Sequence, residues 1–385
     1  MYWSPLELPA PMVTLDRLCA FPRVWSVRRL TIVESRSAVY EDLPPPPAGF
    51  GDGALPRLED PQGRAYDYLR LSVTDRCDLA CVYCMPPGGE DDHALRDDLL
   101  TFEEASRLIR VMGAMGVRRV RFTGGEPLVR KDVVRLVAQV RSTTSVERLL
   151  MTTNGTRLLE LARPLREAGL DGVNVSIDSL DPARFHRLTR GGDLPKVLAG
   201  LKAARDVGLA IKINVVALRG ENDEEAARLV DFAWSFGATP RFIELMPLGE
   251  GANLPQEARV TADEIVARLG DRIERQASSG VPGEGPARYM QASDGSGHRV
   301  GFITPMSDEF CGSCNRMRIT ARGDVRACLA SRRAVSLRDV MRAGGTDAEL
   351  AWALTWSLSG KARGHFFLDA AVEEHEHVGM SLIGG

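Results

Sequence analysis

The stretch Cys77-Asp78-Leu79-Ala80-Cys81-Val82-Tyr83-Cys84 sets three thiols in a C-x3-C-x2-C spacing, with no fourth cysteine close in sequence. A closed structural zinc site takes four Cys or His ligands and keeps no position open. The nearest histidine, His93, is nine residues on, in a polar stretch. Thiolates equally suit iron–sulfur clusters. A cubane held by three of them leaves one iron for a small-molecule chelator, and a site with an open corner does chemistry. The preceding residues 69–74 alternate and are rich in strand formers. The cysteines are therefore expected on a loop at a strand's C-terminal end, where α/β barrels keep their active sites.

Outward from this loop, apolar strand-like runs at 69–74, 118–123, 147–152, 172–177, 210–217 and 240–246 alternate with amphipathic segments. In residues 131–141, Val133, Leu136, Val137 and Val140 keep the spacing of one helical face. Further helices are expected at 101–115, 157–168, 194–207 and 223–236. This alternation predicts βαβ units and a parallel sheet. After about residue 250 the pattern changes to a helix near 261–275, a Ser/Gly/Pro-rich loop at 277–297, strands at 299–304, 316–320 and 324–328, and helices at 335–343 and 346–358. The expected organisation is a poorly ordered extension at 1–57, rich in Pro and Gly, a barrel at 58–250, and a smaller α+β region at 251–385.

The 385 residues carry a net charge of −3, which argues against a general nucleic-acid binder. Only five of the 49 basic residues are lysines (131, 196, 202, 212 and 361), so each is more informative than usual. No run reaches the 18 or so apolar residues of a membrane span, and no secretory core is evident at the N-terminus. Of the seven cysteines, six fall into two distant triplets and Cys19 is left over. That odd count fits metal or cluster ligation in a reducing, cytoplasmic setting better than a disulfide framework.

Other constellations follow the expected strands. Thr123-Gly124-Gly125-Glu126-Pro127 lets the backbone approach a ligand closely, or is simply a strand-to-helix turn. Thr152, Ser176 and Met246 end successive strands and would line one mouth of the sheet, while Lys212 and Asn214 share a strand. With an anionic substrate Lys212 would be a phosphate ligand. Cys311, Cys314 and Cys328 form the second triplet, C-x2-C-x13-C, again without a fourth thiol; His298 is a possible zinc ligand. Arg316 and Arg318, two apart in an expected strand, share a face beside it and suit triphosphate or purine oxygens.

The first triplet, with an aromatic before its last Cys, resembles the cluster loop of the radical S-adenosylmethionine (SAM) superfamily. The longer string from Leu69 to Pro86 is similar to that of the GTP 3′,8-cyclase family of molybdenum-cofactor biosynthesis. The match runs from about Leu58 to the C-terminus. It implies an open, partial (β/α)6 barrel with a C-terminal cluster-binding region, and two [4Fe–4S] clusters, one on each cysteine triplet. SAM would chelate the open iron of the first, with Tyr83, Gly124, Gly125, Glu126, Ser176 and Met246 around it. GTP would meet the second, with Arg70, Arg119, Arg121, Thr152, Lys212, Arg241, Arg316 and Arg318 as ligands. The terminal Gly384-Gly385 would reach into the cavity to help start the radical step.

The chain departs from the family's usual Lys at Arg119, and Asp78-Leu79-Ala80 replaces a more typical Asn-Phe-Arg. The resemblance further implies an external electron donor of the flavodoxin or ferredoxin type and a downstream pterin-forming synthase, and it leaves a homodimer open. A non-catalytic two-cluster electron carrier is the rival from another class. It accounts for two triplets, but not for why both are incomplete. A radical SAM enzyme acting on a peptide is the rival within the enzyme class, although such enzymes usually carry a richer C-terminal cysteine set.

Overall fold

The computed structural model describes residues 39–40, 42–89, 93–278, 285–331, 333–365, 367 and 380. Their strands are β1 (Val39–Tyr40), β2 (Tyr68–Ser72), β3 (Arg119–Thr123), β4 (Arg148–Thr153), β5 (Gly172–Ser176), β6 (Ala210–Ala217), β7 (Thr239–Glu244), β8 (Ile273–Ser278), β9 (Arg288–Ala292), β10 (Arg299–Ile303), β11 (Arg316–Ile319), β12 (Asp324–Arg326) and β13 (Arg333–Ser336). The helices are α1 (Phe102–Ala114), α2 (Val133–Thr143), α3 (Leu158–Glu167), α4 (Pro182–Thr189), α5 (Leu194–Asp206), α6 (Ala226–Ser235), α7 (Ala262–Leu269), α8 (Leu337–Arg342) and α9 (Asp347–Ser359). Strands β2 to β7 pair in sequence order and all in parallel. The six expected strands and the helices between them are therefore present.

Parallel strands covered on both faces normally read as unbroken apolar runs. β6 does not. Ile211, Ile213 and Val215 are buried, while Lys212, Asn214 and Val216 between them are half-buried. The outer face packs on helices and the inner face borders a cavity, which is why the sequence alternates. Capping boxes fix several helix starts: at α1 the Thr101 hydroxyl accepts from the Glu104 amide at 3.1 Å, and the Glu104 carboxylate accepts from the Thr101 amide at 2.8 Å. Thr261 with Glu264 and Thr346 with Glu349 repeat the device at α7 and α9.

The residues after 250 do not form a separate layer. β11 pairs in parallel with β2, and β10 in parallel with β7, so C-terminal strands extend both edges of the six-stranded sheet. The full order is β1-β13-β12-β11-β2-β3-β4-β5-β6-β7-β10-β9-β8. The physical reason is that an open barrel presents two rows of unpaired backbone groups, which these strands satisfy. The expected loop at 277–297 holds β9, and the helix expected at 261–275 stops at Leu269 and gives way to β8.

The expected extension at 1–57 also needs correction for its last residues. Trp352 of α9 donates from Nε1 to the Pro44 carbonyl at 2.7 Å, and Phe50 meets the Trp352 ring edge-on with centroids 5.3 Å apart. Gly51, at φ +87°, lies so close to α9 that a Cβ there would stand 2.6 Å from that of Ala348. Leu43, Phe50 and Leu55 pack against the core, so this proline-rich segment is held by aromatic contacts and not by periodic structure. Deleting residues 1–57 is expected to lower stability by about 2 kcal/mol or more relative to deleting 1–38, because it uncovers these apolar groups. Equal urea midpoints for the two truncations would show the contacts contribute nothing. Cys19 lies outside the described residues. Among the described residues no helix is long and apolar enough to cross a membrane.

Candidate active site

The cysteine loop leaves the end of β2 and is clamped from three sides. The amides of Ala80 and Val82 donate to the carbonyls of Thr189 (3.2 Å) and Leu188 (2.9 Å), at the end of α4. Arg190, in the left-handed conformation at φ 51°, turns its guanidinium onto the Ala80 and Met85 carbonyls at 3.2 and 2.6 Å. From the other side the Gly124-Gly125 turn docks against the root of the loop, with the Gly125 amide on Thr74 O (2.9 Å) and the Glu126 amide on Arg76 O (2.8 Å). A Cβ on Gly124 would stand 2.4 Å from Thr74 O, and one on Gly125 the same distance from Arg76 O. These two glycines are thus required where two backbones touch, a reason the sequence alone did not give.

The Glu126 carboxylate is turned into the protein. It accepts from Thr153 Oγ1 (2.7 Å) and from the amides of Asn154 (2.6 Å) and Leu128 (2.9 Å), so it braces the ends of β3 and β4. Burial nevertheless pushes its acid up to about 7. Tyr83 donates its hydroxyl to Asp178 at 2.7 Å, and burial lifts the Asp178 acid to about 6. Asp78 accepts from Asn154 Nδ2 (2.7 Å) and Thr156 Oγ1 (2.6 Å). The first triplet therefore lies among carboxylates: burial, with Glu126 and Asp78 adding, pushes the Cys77 thiol up to about 12, and Cys81 rises for like reasons.

The second triplet follows β10 and spans β11 and β12, and its surroundings have the opposite sign. Cys314 Sγ receives Lys361 Nζ at 3.4 Å and Arg316 Nη2 at 3.7 Å. Against the upward push of burial, Arg316 and Lys361 bring the Cys314 thiol down to about 6. Both triplets line one cavity, the first beyond the C-terminal end of β2 and the second beside its N-terminal end, where register sets Arg316 of β11 against Tyr68. Among the described residues, neither triplet holds its three sulfurs within 4.8 Å of one another. Tetrahedral zinc, with Zn–S near 2.3 Å, would need sulfurs roughly 3.8 Å apart. Three thiolates at each triplet are the donor set that an iron–sulfur cubane takes, and the ligand-type atoms that do lie within 4.8 Å of one another among the described residues are those of Glu309, Cys311 and His365.

Between the triplets lies a group of cations. Register places Arg318, Arg70 and Arg121 side by side on β11, β2 and β3, and Arg241 and Arg316 join them in the lining. Arg121 donates to Tyr68 Oη and to the Met151 carbonyl at 3.1 Å, and Arg241 grips Asn214 Oδ1 at 3.0 and 2.6 Å. Burial, reinforced by Arg318 and Arg121, holds Arg70 well below the usual guanidinium range. Burial and Arg316 bring Arg318 to about 10, and burial lowers Arg241. Two unit charges roughly 5 Å apart at an effective dielectric of about 20 repel by about 3 kcal/mol. Guanidinium groups gathered this way suit an anionic ligand.

The sequence of this chain is 44% identical over 334 residues to a GTP 3′,8-cyclase of Rhodopseudomonas palustris (strain TIE-1), covering 85% of this chain and 96% of that one. The chain belongs to the GTP 3′,8-cyclase family. A GTP 3′,8-cyclase 1 of Pseudomonas aeruginosa (strain PAO1) is also 44% identical, over 85% of this chain and 98% of its own. Residues 71–233 match the Radical SAM superfamily, and residues 238–367 match Molybdenum Cofactor Synthesis C. In fold, the chain is similar to Streptococcus suis SuiB bound to precursor peptide SuiA, with a TM-score of 0.54 at 16% identity over 77% of this chain and 67% of that one.

Of the cyclase-family positions expected at the site, the six cluster cysteines, Tyr83, Gly124, Gly125, Glu126, Thr152, Ser176, Met246, Arg70, Arg121, Arg241, Arg316 and Arg318 all border the cavity. Two do not. Arg119 begins β3, one alternation below Arg121; its guanidinium reaches Asp67 at 2.7 Å and lies over the Tyr68 ring. Lys212 lies one alternation below Asn214 on β6, and its ammonium bonds Tyr289 Oη at 3.2 Å. Gly384 and Gly385 lie outside the described residues. Sequence reading missed Asn174, Asp178 and Lys361 in the lining. The scarcity of lysine could have flagged Lys361, and the alternation Val173-Asn174-Val175-Ser176 placed Asn174 on the inner face.

Proposed function

We propose that this protein converts GTP to (8S)-3′,8-cyclo-7,8-dihydroguanosine 5′-triphosphate, the first step of molybdenum-cofactor biosynthesis. The observation that carries this reading is the single cavity shared by two incomplete cysteine triplets with a guanidinium cluster between them. When bound, the cluster at Cys77, Cys81 and Cys84 supplies the electron that cleaves SAM to methionine and a 5′-deoxyadenosyl radical. The chain orients the partners of that radical. Tyr83, pinned by Asp178, and the Gly124-Gly125 turn hold SAM over the first triplet. Arg70, Arg121, Arg241 and Arg318 hold the triphosphate, which fixes the ribose so that its 3′ hydrogen faces the SAM side.

The 3′ hydrogen leaves with 5′-deoxyadenosine, the C3′–C8 bond closes, and a second electron with one proton completes the product. Both electrons come from a flavodoxin- or ferredoxin-type donor, and the product passes to a pterin-forming synthase. With both ligands filling the cavity, little room is left for water at the radical. An anaerobic assay of the reconstituted protein with GTP, SAM and dithionite tests the reading: cyclised nucleotide and 5′-deoxyadenosine should form together. Formation of 5′-deoxyadenosine that GTP does not affect, with no cyclised product, would overturn it.

The arginine cluster supports a sharper expectation. Charge-assisted hydrogen bonds contribute about 1.5–3 kcal/mol each. Arg318→Ala should therefore weaken GTP binding about ten-fold or more and leave SAM binding unchanged. Calorimetry of each ligand separately checks this. Unaltered GTP affinity would remove the cluster from the substrate site.

A further inference from the structure

Lys361 follows α9, and only 7% of it is exposed. Its ammonium donates to Cys314 Sγ at 3.4 Å and to the carbonyl of Ala327, the neighbour of Cys328, at 2.6 Å, and it stands 4.6 Å from the centre of the Tyr66 ring. The carboxylate that Tyr66 reaches, Asp60, is engaged by Arg64 at 2.5 Å and by the Tyr66 hydroxyl at 2.6 Å. Arg64 in turn holds the Cys311 carbonyl (2.9 Å) and the Ala362 carbonyl (2.8 Å), which pins the chain beside Lys361 to the segment that carries Cys311. Among the described residues no carboxylate forms an ion pair with Lys361.

A buried ammonium facing a sulfur, a carbonyl and a ring is costly unless a negative charge compensates it. Three thiolates around a cluster supply that charge. Hydrogen bonds to cluster sulfurs and the net charge nearby raise or lower the reduction potential. The first triplet has Asp78, Glu126 and Asp178 about it instead.

We propose that Lys361 is a positioning residue of the second cluster, compensating the thiolate charge at Cys314 and holding this cluster at a higher reduction potential than the first. The proposal rests on the reading of Cys311, Cys314 and Cys328 as a cluster site. The test is a potentiometric titration of the reconstituted full-length protein, followed by electron paramagnetic resonance, with the first cluster identified as the one whose signal SAM alters. Lys361→Met keeps the length and removes the charge. It should reduce the second cluster's reduction equilibrium about ten-fold, equivalent to about 59 mV for one electron, with the first cluster unmoved and Lys361→Arg close to the parent.

Loss of the second cluster's iron in Lys361→Met but not in Lys361→Arg also supports the proposal. An unmoved second potential in Lys361→Met, equal shifts at both clusters, or loss of iron in both variants overturns it. Iron analysis of the parent separates the two levels. About four irons per chain where two cubanes require about eight would sink the cluster reading itself.

Discussion

Cys77→Ala is expected to abolish 5′-deoxyadenosine formation and remove about four irons per chain, while the protein stays folded. Two remaining thiolates cannot hold a cubane that must also offer SAM an open iron. The loop itself has other anchors: Ala80 and Val82 on α4, Arg190 on two carbonyls, and the Gly124-Gly125 turn against Thr74 and Arg76. Removing one half-buried sulfur leaves every one of these in place. Iron and sulfide analysis beside an anaerobic SAM-cleavage assay gives the answer. Normal 5′-deoxyadenosine output would refute the role of this triplet.

The second large effect is selective. Cys328→Ala should reduce cyclised product by at least about a hundred-fold and leave some SAM cleavage. The geometric reason is that Cys328 follows β12, on the far side of β11 from the barrel strand β2, whereas the first triplet hangs from β2 itself. The family resemblance implies that GTP meets the second cluster; without that contact the substrate would shift, and a displacement of about 1 Å at a reacting atom can cost a hundred-fold. Quantifying 5′-deoxyadenosine and cyclised nucleotide in the same reaction separates the two activities. Parental product yield would show that the second triplet does not position substrate.

Much of the barrel was legible because its chemistry is local. Alternating runs such as Ala210–Ala217 and the helical stripe in Val133–Thr143 announce themselves within ten residues. The cysteine spacing did the same for the first site. What stayed hidden depends on partners distant in sequence. α4 is short and carries few apolar residues, so nothing marked it as the shelf under the cysteine loop. The neighbouring positions of Arg318, Arg70 and Arg121 follow from the β11–β2 register and from no local pattern. Lys212 and Arg119 were placed on the right strands, but their depth depends on Tyr289 and Asp67, partners no local pattern names.

The placement of C-terminal strands on both barrel edges governs the order in which the molecule can be made. Asp67, just before β2, bonds Asn315, 248 residues later, at 2.7 Å. During synthesis β2 therefore emerges long before β11 exists to cover it, and the half-built sheet carries two bare edges of the kind that recruit other chains. Contacts so distant in sequence also slow refolding, because the loop must close before the pairing stabilises it. The first triplet is complete on the nascent chain while the wall bearing the second is still unsynthesised, so the ribosome delivers the two cysteine triplets one after the other.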